Sequence, residues 1–198
     1  MVYPISKLVI WPILSLFIKK IEGLQNIPDK PFILVSNHQS YLDPVLMIMM
    51  MAWHKNKQLC AFATNERFRG PILDALFEHF GAIRVNGSLE KGLKALKQGK
   101  CMAIFPEGGR SHTEKPQKIT HTGLGVLALI SKKPVVPVGI DTYHFWPRKK
   151  LLPNFKSNIK ITIGKPIKFK GKPTKKSARK VINTLWKEVK SLARISHS

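Results

Sequence analysis

The chain is poor in the residues that would place it in several common classes. Two cysteines in 198 residues, Cys60 and Cys101, cannot build a disulfide scaffold. Both sit inside apolar runs, as small core residues in a reducing compartment do. No Cys/His spacing matches a zinc site, and His54, His79, His112, His121, His144 and His197 are scattered as surface or packing residues. No apolar run reaches the ~20 residues that a membrane-crossing helix needs. The run near the start, Leu8–Ile18, is broken by Pro12. A basic n-region and a small-residue cleavage site are both missing, so no signal peptide is expected. A Gly-x-Ser-x-Gly elbow is also absent, which removes the commonest α/β serine-nucleophile arrangement.

Acidic residues are scarce. Against 34 Lys and Arg stand 11 Asp and Glu, a net charge of +23. From Phe145 onwards sixteen basic residues, Arg148 through Arg194, face a single acid, Glu188. Such a surface seeks an anionic partner: nucleic acid, anionic lipid or an acidic carrier protein. Phe155, Phe169 and Trp186 are spaced for a core rather than for a base-stacking platform, so nucleic acid is a remote alternative.

What the chain does contain is a regular alternation. Apolar runs with β-branched character occupy Phe32–Val35, Leu59–Ala63, Ala82–Val85, Met102–Phe105, Val135–Ile140 and Ile159–Ile163. Helical patterns separate or follow them at Pro44–Trp53, Pro71–Phe80, Leu89–Gln98, Leu124–Ser131 and Lys175–Ile195. This pattern predicts an α/β fold, one mostly parallel sheet flanked by helices, in a single domain over 23–198 that ends in a basic amphipathic helix. Residues 1–22 are expected to form a helical segment at a membrane interface, with Trp11 and Phe17 in the apolar layer and Lys7, Lys19 and Lys20 towards headgroups. Pro134 and Pro137 predict that their strand is an edge or a rigid wall. Val45–Trp53, with its consecutive methionines, reads either as the lining of an acyl-chain groove or as an ordinary core helix.

Two strand ends carry chemistry. Asn37-His38-Gln39-Ser40-Tyr41-Leu42-Asp43 follows Phe32–Val35, so His38 sits at the strand's carboxyl end, where α/β sheets place ligands. Asp43 is expected at the N-cap of the next helix, close enough to turn back to the imidazole. A His oriented by a carboxylate is the base half of a catalytic triad; the plainer reading is that Asp43 merely caps the helix. Phe105-Pro106-Glu107-Gly108-Gly109-Arg110-Ser111 forms a second such turn. Arg110 offers a donor fork for phosphate or carboxylate, or pairs internally with Glu107. Between these blocks, Phe80–Asn86 is a strand with one inward cation, Arg84.

Taken in order, Asn37-His38-x4-Asp43, Gly81-Ala82-Ile83, Phe105-Pro106-Glu107-Gly108-x-Arg110-Ser111 and Val136-Pro137-Val138 resemble the lysophospholipid/glycerolipid acyltransferase family, most of all its bacterial 1-acylglycerol-3-phosphate acyltransferases. The resemblance runs from about Gly23 to Gly164 and includes the order and approximate spacing of all four blocks. It implies a glycerol-3-phosphate acyltransferase-like fold and an HX4D reaction. In that reaction His38 is the base on an acceptor hydroxyl and Asp43 fixes its tautomer. The hydroxyl attacks an acyl-CoA or acyl-carrier-protein thioester directly, with no further cofactor and no metal. Arg84, Glu107, Gly108, Gly109, Arg110, Ser111 and Pro137 are then the substrate-binding candidates, with Arg110 on the acceptor's phosphate. Implied partners are a lysophospholipid acceptor, an anionic membrane surface and acyl-CoA or acyl carrier protein, not nucleic acid. The implied location is the cytoplasmic face of the inner membrane, peripheral or monotopic. Two positions depart from the family pattern: Asn86-Gly87 stands where the family carries an Arg after the Gly, and Gly109 stands where Thr is commonest.

Overall fold

In the computed structural model, residues 2–64, 70–84, 88–119, 121–147 and 149–197 are described. A helix, α1 (Pro4–Ser15), leads into β1 (Ile18–Glu22), a short 3-10 turn and β2 (Ile33–Ser36). Next come α2 (Leu42–Lys55), β3 (Leu59–Ala63), α3 (Pro71–His79), β4 (Ala82–Arg84), α4 (Ser88–Lys97) and β5 (Cys101–Ile104). The chain closes with α5 (Gly123–Ser131), β6 (Val135–Asp141), β7 (Ile159–Ile163) and α6 (Lys175–His197). One seven-stranded sheet runs β1-β7-β6-β2-β5-β3-β4, parallel except where β6 meets β7.

The strands read as short apolar runs because both sheet faces are covered. Along β2, Leu34 points into the core shared with α1 and α2, while Ile33 and Val35 point into the core beneath α4, α5 and α6. All three are fully buried. The methionine stretch is core: Met47, Met49, Met50 and Met51 have no exposure, so α2 is an internal helix and the groove-lining alternative falls. Helix α6 seats through glycines. A Cβ on Gly125 would lie 2.2 Å from the Ala178 carbonyl, and one on Gly139 2.3 Å from the Leu192–Ala193 backbone.

Three expectations are corrected. The N-terminal segment is helical only as far as Ser15, and Ile18–Glu22 joins the sheet beside β7. Within α1, Lys7 and Trp11 face the protein core, Lys7 rather than headgroups and Trp11 rather than a lipid layer. Lys7 is 8% exposed and its Nζ donates to the Ala52 carbonyl in the last turn of α2, where the helix dipole favours a cation; Trp11 packs edge-on against His54. The proline-bearing strand is not an edge, for β6 lies between β2 and β7. Between the pair Val138–Ile163 and the bridge Val135–Ile167, the neighbouring chain carries one residue more than β6 does. Pro137 falls in that bulged interval, where a missing N–H breaks no regular ladder bond.

The topology fixes where chemistry can occur. From β2 the chain leaves over one face into α2; from β5 it leaves over the other towards α5. Adjacent parallel strands whose connections part to opposite faces leave a crevice at their carboxyl ends. The register Val35–Ile104 and Val35–Pro137 then sets the residues after β2 between those after β5 and the last residues of β6.

Candidate active site

The loop after β2 is sewn to β6 by side chains that replace strand bonds. Buried Asn37 donates Nδ2–H to the Ile140 carbonyl at 2.8 Å and accepts the Ile140 N–H at 2.9 Å. Gln39 accepts the Thr142 N–H at 3.1 Å and donates to the Glu114 carbonyl at 2.7 Å. Between these two anchors stands His38.

Asp43 is not the N-cap. Tyr41 holds that position, and Asp43 is the second residue of α2, fully buried. From there its carboxylate turns back over the loop. Oδ2 accepts the Gln39 N–H at 2.6 Å, the Ser40 N–H at 2.8 Å and His38 Nδ1 at 2.9 Å; Oδ1 accepts the Thr142 hydroxyl at 2.5 Å. An ionised carboxylate only accepts, so the proton of the neutral imidazole is assigned to Nδ1 and the lone pair to Nε2. The His38 side chain keeps 16% of its exposure, and its ring leans on Phe105 at 4.6 Å between centroids. Among the described residues, no serine or cysteine is hydrogen-bonded to this ring. The arrangement is an oriented base open to an incoming hydroxyl.

Glu107 holds the base from the other strand. One carboxylate oxygen accepts the His38 backbone N–H at 2.8 Å and the other accepts the Gln117 N–H at 2.8 Å. Burial pushes its carboxyl up to about 7; the two amides pull it down and the Asp43 charge adds to the push. The sign follows from linkage. The folded protein keeps a proton that the unfolded chain gives up, so this contribution to stability is full below about pH 4.5 and is lost as pH rises through about 7. Glu107→Gln should therefore flatten the fall of Tm between those pH values. Parallel Tm profiles for the two proteins would show that the buried carboxyl is not the titrating group.

The rest of the second block closes around His38. The Ser111 N–H donates to the His38 carbonyl at 2.6 Å, and the Ser111 hydroxyl to the Lys115 carbonyl at 2.9 Å. Gly108 takes φ 71°, a left-handed turn natural to glycine, and its N–H donates to the Phe105 carbonyl. Gly109 has ordinary φ and open space around its Cβ position, so the turn does not require glycine there. Arg110, 9% exposed, lays its guanidinium over the Tyr41 ring, 3.2 Å from the centroid, two residues before Asp43.

Two candidates stand apart. Arg84 ends the edge strand β4, three strands from β2 and hence roughly 14 Å away, and bonds Asp74 at 2.7 Å. Asn86-Gly87 lies outside the described residues. Pro137 is inside β6, its ring beside Gly164. Conversely, Gln39, Thr142 and the Gln117 backbone N–H carry positioning bonds, and no sequence motif marks any of the three. Asp43 and Thr142 are 99 residues apart, and only the β2–β6 register brings them together.

Fold and site together define an α/β protein that holds a histidine–aspartate base at the carboxyl edge of its sheet. A family model described as Acyltransferase matches residues 19–141, well over half the chain, and the chain belongs to that family. It is similar to N-acylphosphatidylethanolamine synthase of Arabidopsis thaliana (28% identity over 72% of this chain and 57% of that protein). It is also similar to the 1-acyl-sn-glycerol-3-phosphate acyltransferases of Pseudomonas aeruginosa (25%, over 77% and 60%) and Bacillus subtilis (24%, over 87% of each). The chain thus spans less than two thirds of the first two relatives and most of the third. The crystal structure of the 1-acyl-sn-glycerophosphate (LPA) acyltransferase PlsC from Thermotoga maritima superposes with a TM-score of 0.73. That match has 26% identity and covers 94% of this chain and 77% of that one.

Proposed function

We propose that the protein transfers a fatty acyl group from an acyl-CoA or acyl-carrier-protein thioester to the free hydroxyl of lysophosphatidic acid, giving phosphatidic acid. The observation that carries this is the 2.9 Å bond from His38 Nδ1 to a buried, fully engaged Asp43. Nε2 of His38 takes the acceptor hydroxyl's proton as its oxygen attacks the thioester carbonyl. The C–O bond forms, the tetrahedral intermediate collapses, the C–S bond breaks, and the imidazolium returns its proton to the departing thiolate. Asp43 stabilises the imidazolium meanwhile. These steps draw on no cofactor or metal.

Arg110 is the phosphate contact in this reading, held flat by Tyr41 beside the base. Glu107 and Ser111, whose polar groups are taken up by the loop, position His38 rather than bind the acceptor. Membrane access comes from α1 and the residue that caps it, where Ile5, Leu8, Val9, Ile13 and Leu16 are 55–79% exposed. The exposed apolar side chains of this segment and the basic surface support a peripheral seat on an anionic membrane, proposed at the cytoplasmic face of the inner membrane. No described helix is long and apolar enough to cross a membrane.

One observation favours a second acceptor class. Arg84, the cation nearest in sequence to the departed second-block position, ends the edge strand and is engaged with Asp74 of α3. Another lysolipid or hydroxylated lipid, such as a lyso-ornithine lipid or lysophosphatidylglycerol, would then be acylated by the same base. Purified protein assayed in mixed micelles with each lysolipid, and with acyl-CoA and acyl-carrier-protein donors separately, decides between them. Turnover of lysophosphatidic acid is expected, and turnover of a different lysolipid alone would overturn the acceptor. Arg110→Ala should raise the acceptor KM about tenfold or more with a smaller change in kcat, the loss of a charge-assisted contact; an unchanged KM would remove Arg110 from the phosphate.

A further inference from the structure

The connection from β6 to β7 exposes large apolar side chains to solvent. Leu151 is 89% exposed, Leu152 74% and Phe155 64%. Single exposed leucines are ordinary; three large apolar side chains within five residues, bracketed by exposed Lys149, Lys150 and Lys156, are not. Nor is this loop slack. The Trp146 indole N–H donates to the Lys150 carbonyl at 3.1 Å, the Lys150 N–H to the Pro147 carbonyl at 3.0 Å and the Asn154 N–H to the Phe145 carbonyl at 2.6 Å. These bonds close its base and hold the leucines outward.

The loop joins two features already described. Phe155 lies 5.4 Å from Phe17 and 6.2 Å from Phe145, with Phe17 and Phe145 5.2 Å apart, so an aromatic trio ties it to the end of α1 beside exposed Ile13 and Leu16. On the other side Trp146 meets Tyr41 at 6.0 Å, and Tyr41 carries Arg110. We infer that residues 149–156 are a second seat on an anionic lipid bilayer, beside that of α1, which sets the Tyr41–Arg110 side of the site at the membrane surface. Leu151 and Leu152 enter the apolar layer, Phe155 braces them, and the three lysines meet anionic headgroups. A second copy of this chain fits less well, because a symmetric contact would bring the same lysines face to face. This inference deepens the proposed lipid acylation, since it says from which side the acceptor arrives.

Its test does not depend on turnover. The full chain is sedimented, without donor, with vesicles of three parts phosphatidylcholine to one part phosphatidylglycerol. Leu151→Asp/Leu152→Asp should weaken partitioning at least about tenfold, from the loss of two buried leucines, with far-UV circular dichroism unchanged. Unaltered partitioning would overturn the seat. As a milder variant, Leu152→Cys carrying an environment-sensitive fluorophore should shift to the blue on the same vesicles; Cys60 and Cys101, each 2% exposed, do not compete for the label. No shift would also overturn it, as would a monomer–dimer change in the double variant with full vesicle binding. If the wild type acylates no lysolipid yet partitions through Leu151 and Leu152, the proposed activity falls and the seat stands. Acylation with leucine-independent partitioning gives the reverse.

Discussion

Replacing His38 with alanine is expected to lower turnover about a thousandfold, the middle of the range for a general base, while leaving Tm nearly unchanged. The reason for the small stability effect is geometric. The loop is held by the backbone of His38, whose N–H goes to Glu107 and whose carbonyl receives the Ser111 N–H, and neither bond needs the imidazole. Among the described residues the ring itself makes one hydrogen bond, to Asp43, and lies on Phe105. Turnover at saturating donor and acceptor, measured beside a thermal melt, checks both halves. Near-normal kcat in a folded variant would mean that the proton leaves by another route.

Asp43→Asn separates charge from shape at the same place. Asparagine can keep its oxygen towards Gln39 N–H, Ser40 N–H and His38 Nδ1, and turn its amide towards the Thr142 oxygen, which can accept as well as donate. The loop should therefore stand, but the imidazolium formed during transfer loses its counter-charge. A kcat loss on the order of a hundredfold or more is expected, with acceptor KM changed little. Asp43→Ala should cost stability as well, because the buried Gln39 and Ser40 amides lose their acceptor, at about 1–3 kcal/mol each. If the asparagine variant works within a few-fold of wild type, Asp43 is a loop fastener and not part of the chemistry. The contrast between the two variants, read in kcat and Tm together, distinguishes the roles.

Much of the architecture was legible because its signals are local. Every predicted strand after Gly23 lies within a residue or so of an observed one, and the helices agree to within two residues at each end, since apolar runs and helical periods are written in consecutive residues. Ile18–Glu22 escaped because its pattern, half-buried with exposed Lys19 and Lys20, belongs to an edge strand that leans on a partner 140 residues later. Pro137 misled for a similar reason. Whether a proline disrupts a strand depends on which neighbour its nitrogen faces, and the bulge that accommodates it is formed by another segment. Within the site, His38 and Asp43 are five apart and could be paired from sequence. Thr142 and Gln39 are ordinary polar residues until the sheet register makes them partners, and Gln117 contributes only a backbone N–H from the loop after β5.

The amino-acid sequence by itself determined the alternation of strands and helices, the two polar turns at strand ends, and a basic chain whose first helix is apolar. These follow from side-chain chemistry at short range. Tertiary structure alone decided which strands lie side by side. It thereby made Glu107 a support for the His38 backbone, carried Arg84 to a distant edge, turned Lys7 and Trp11 inward and left Leu151 and Leu152 in the open. The physical reason is that a hydrogen bond or a buried charge is specified by what surrounds it in space. In a parallel sheet those surroundings come from segments dozens of residues apart.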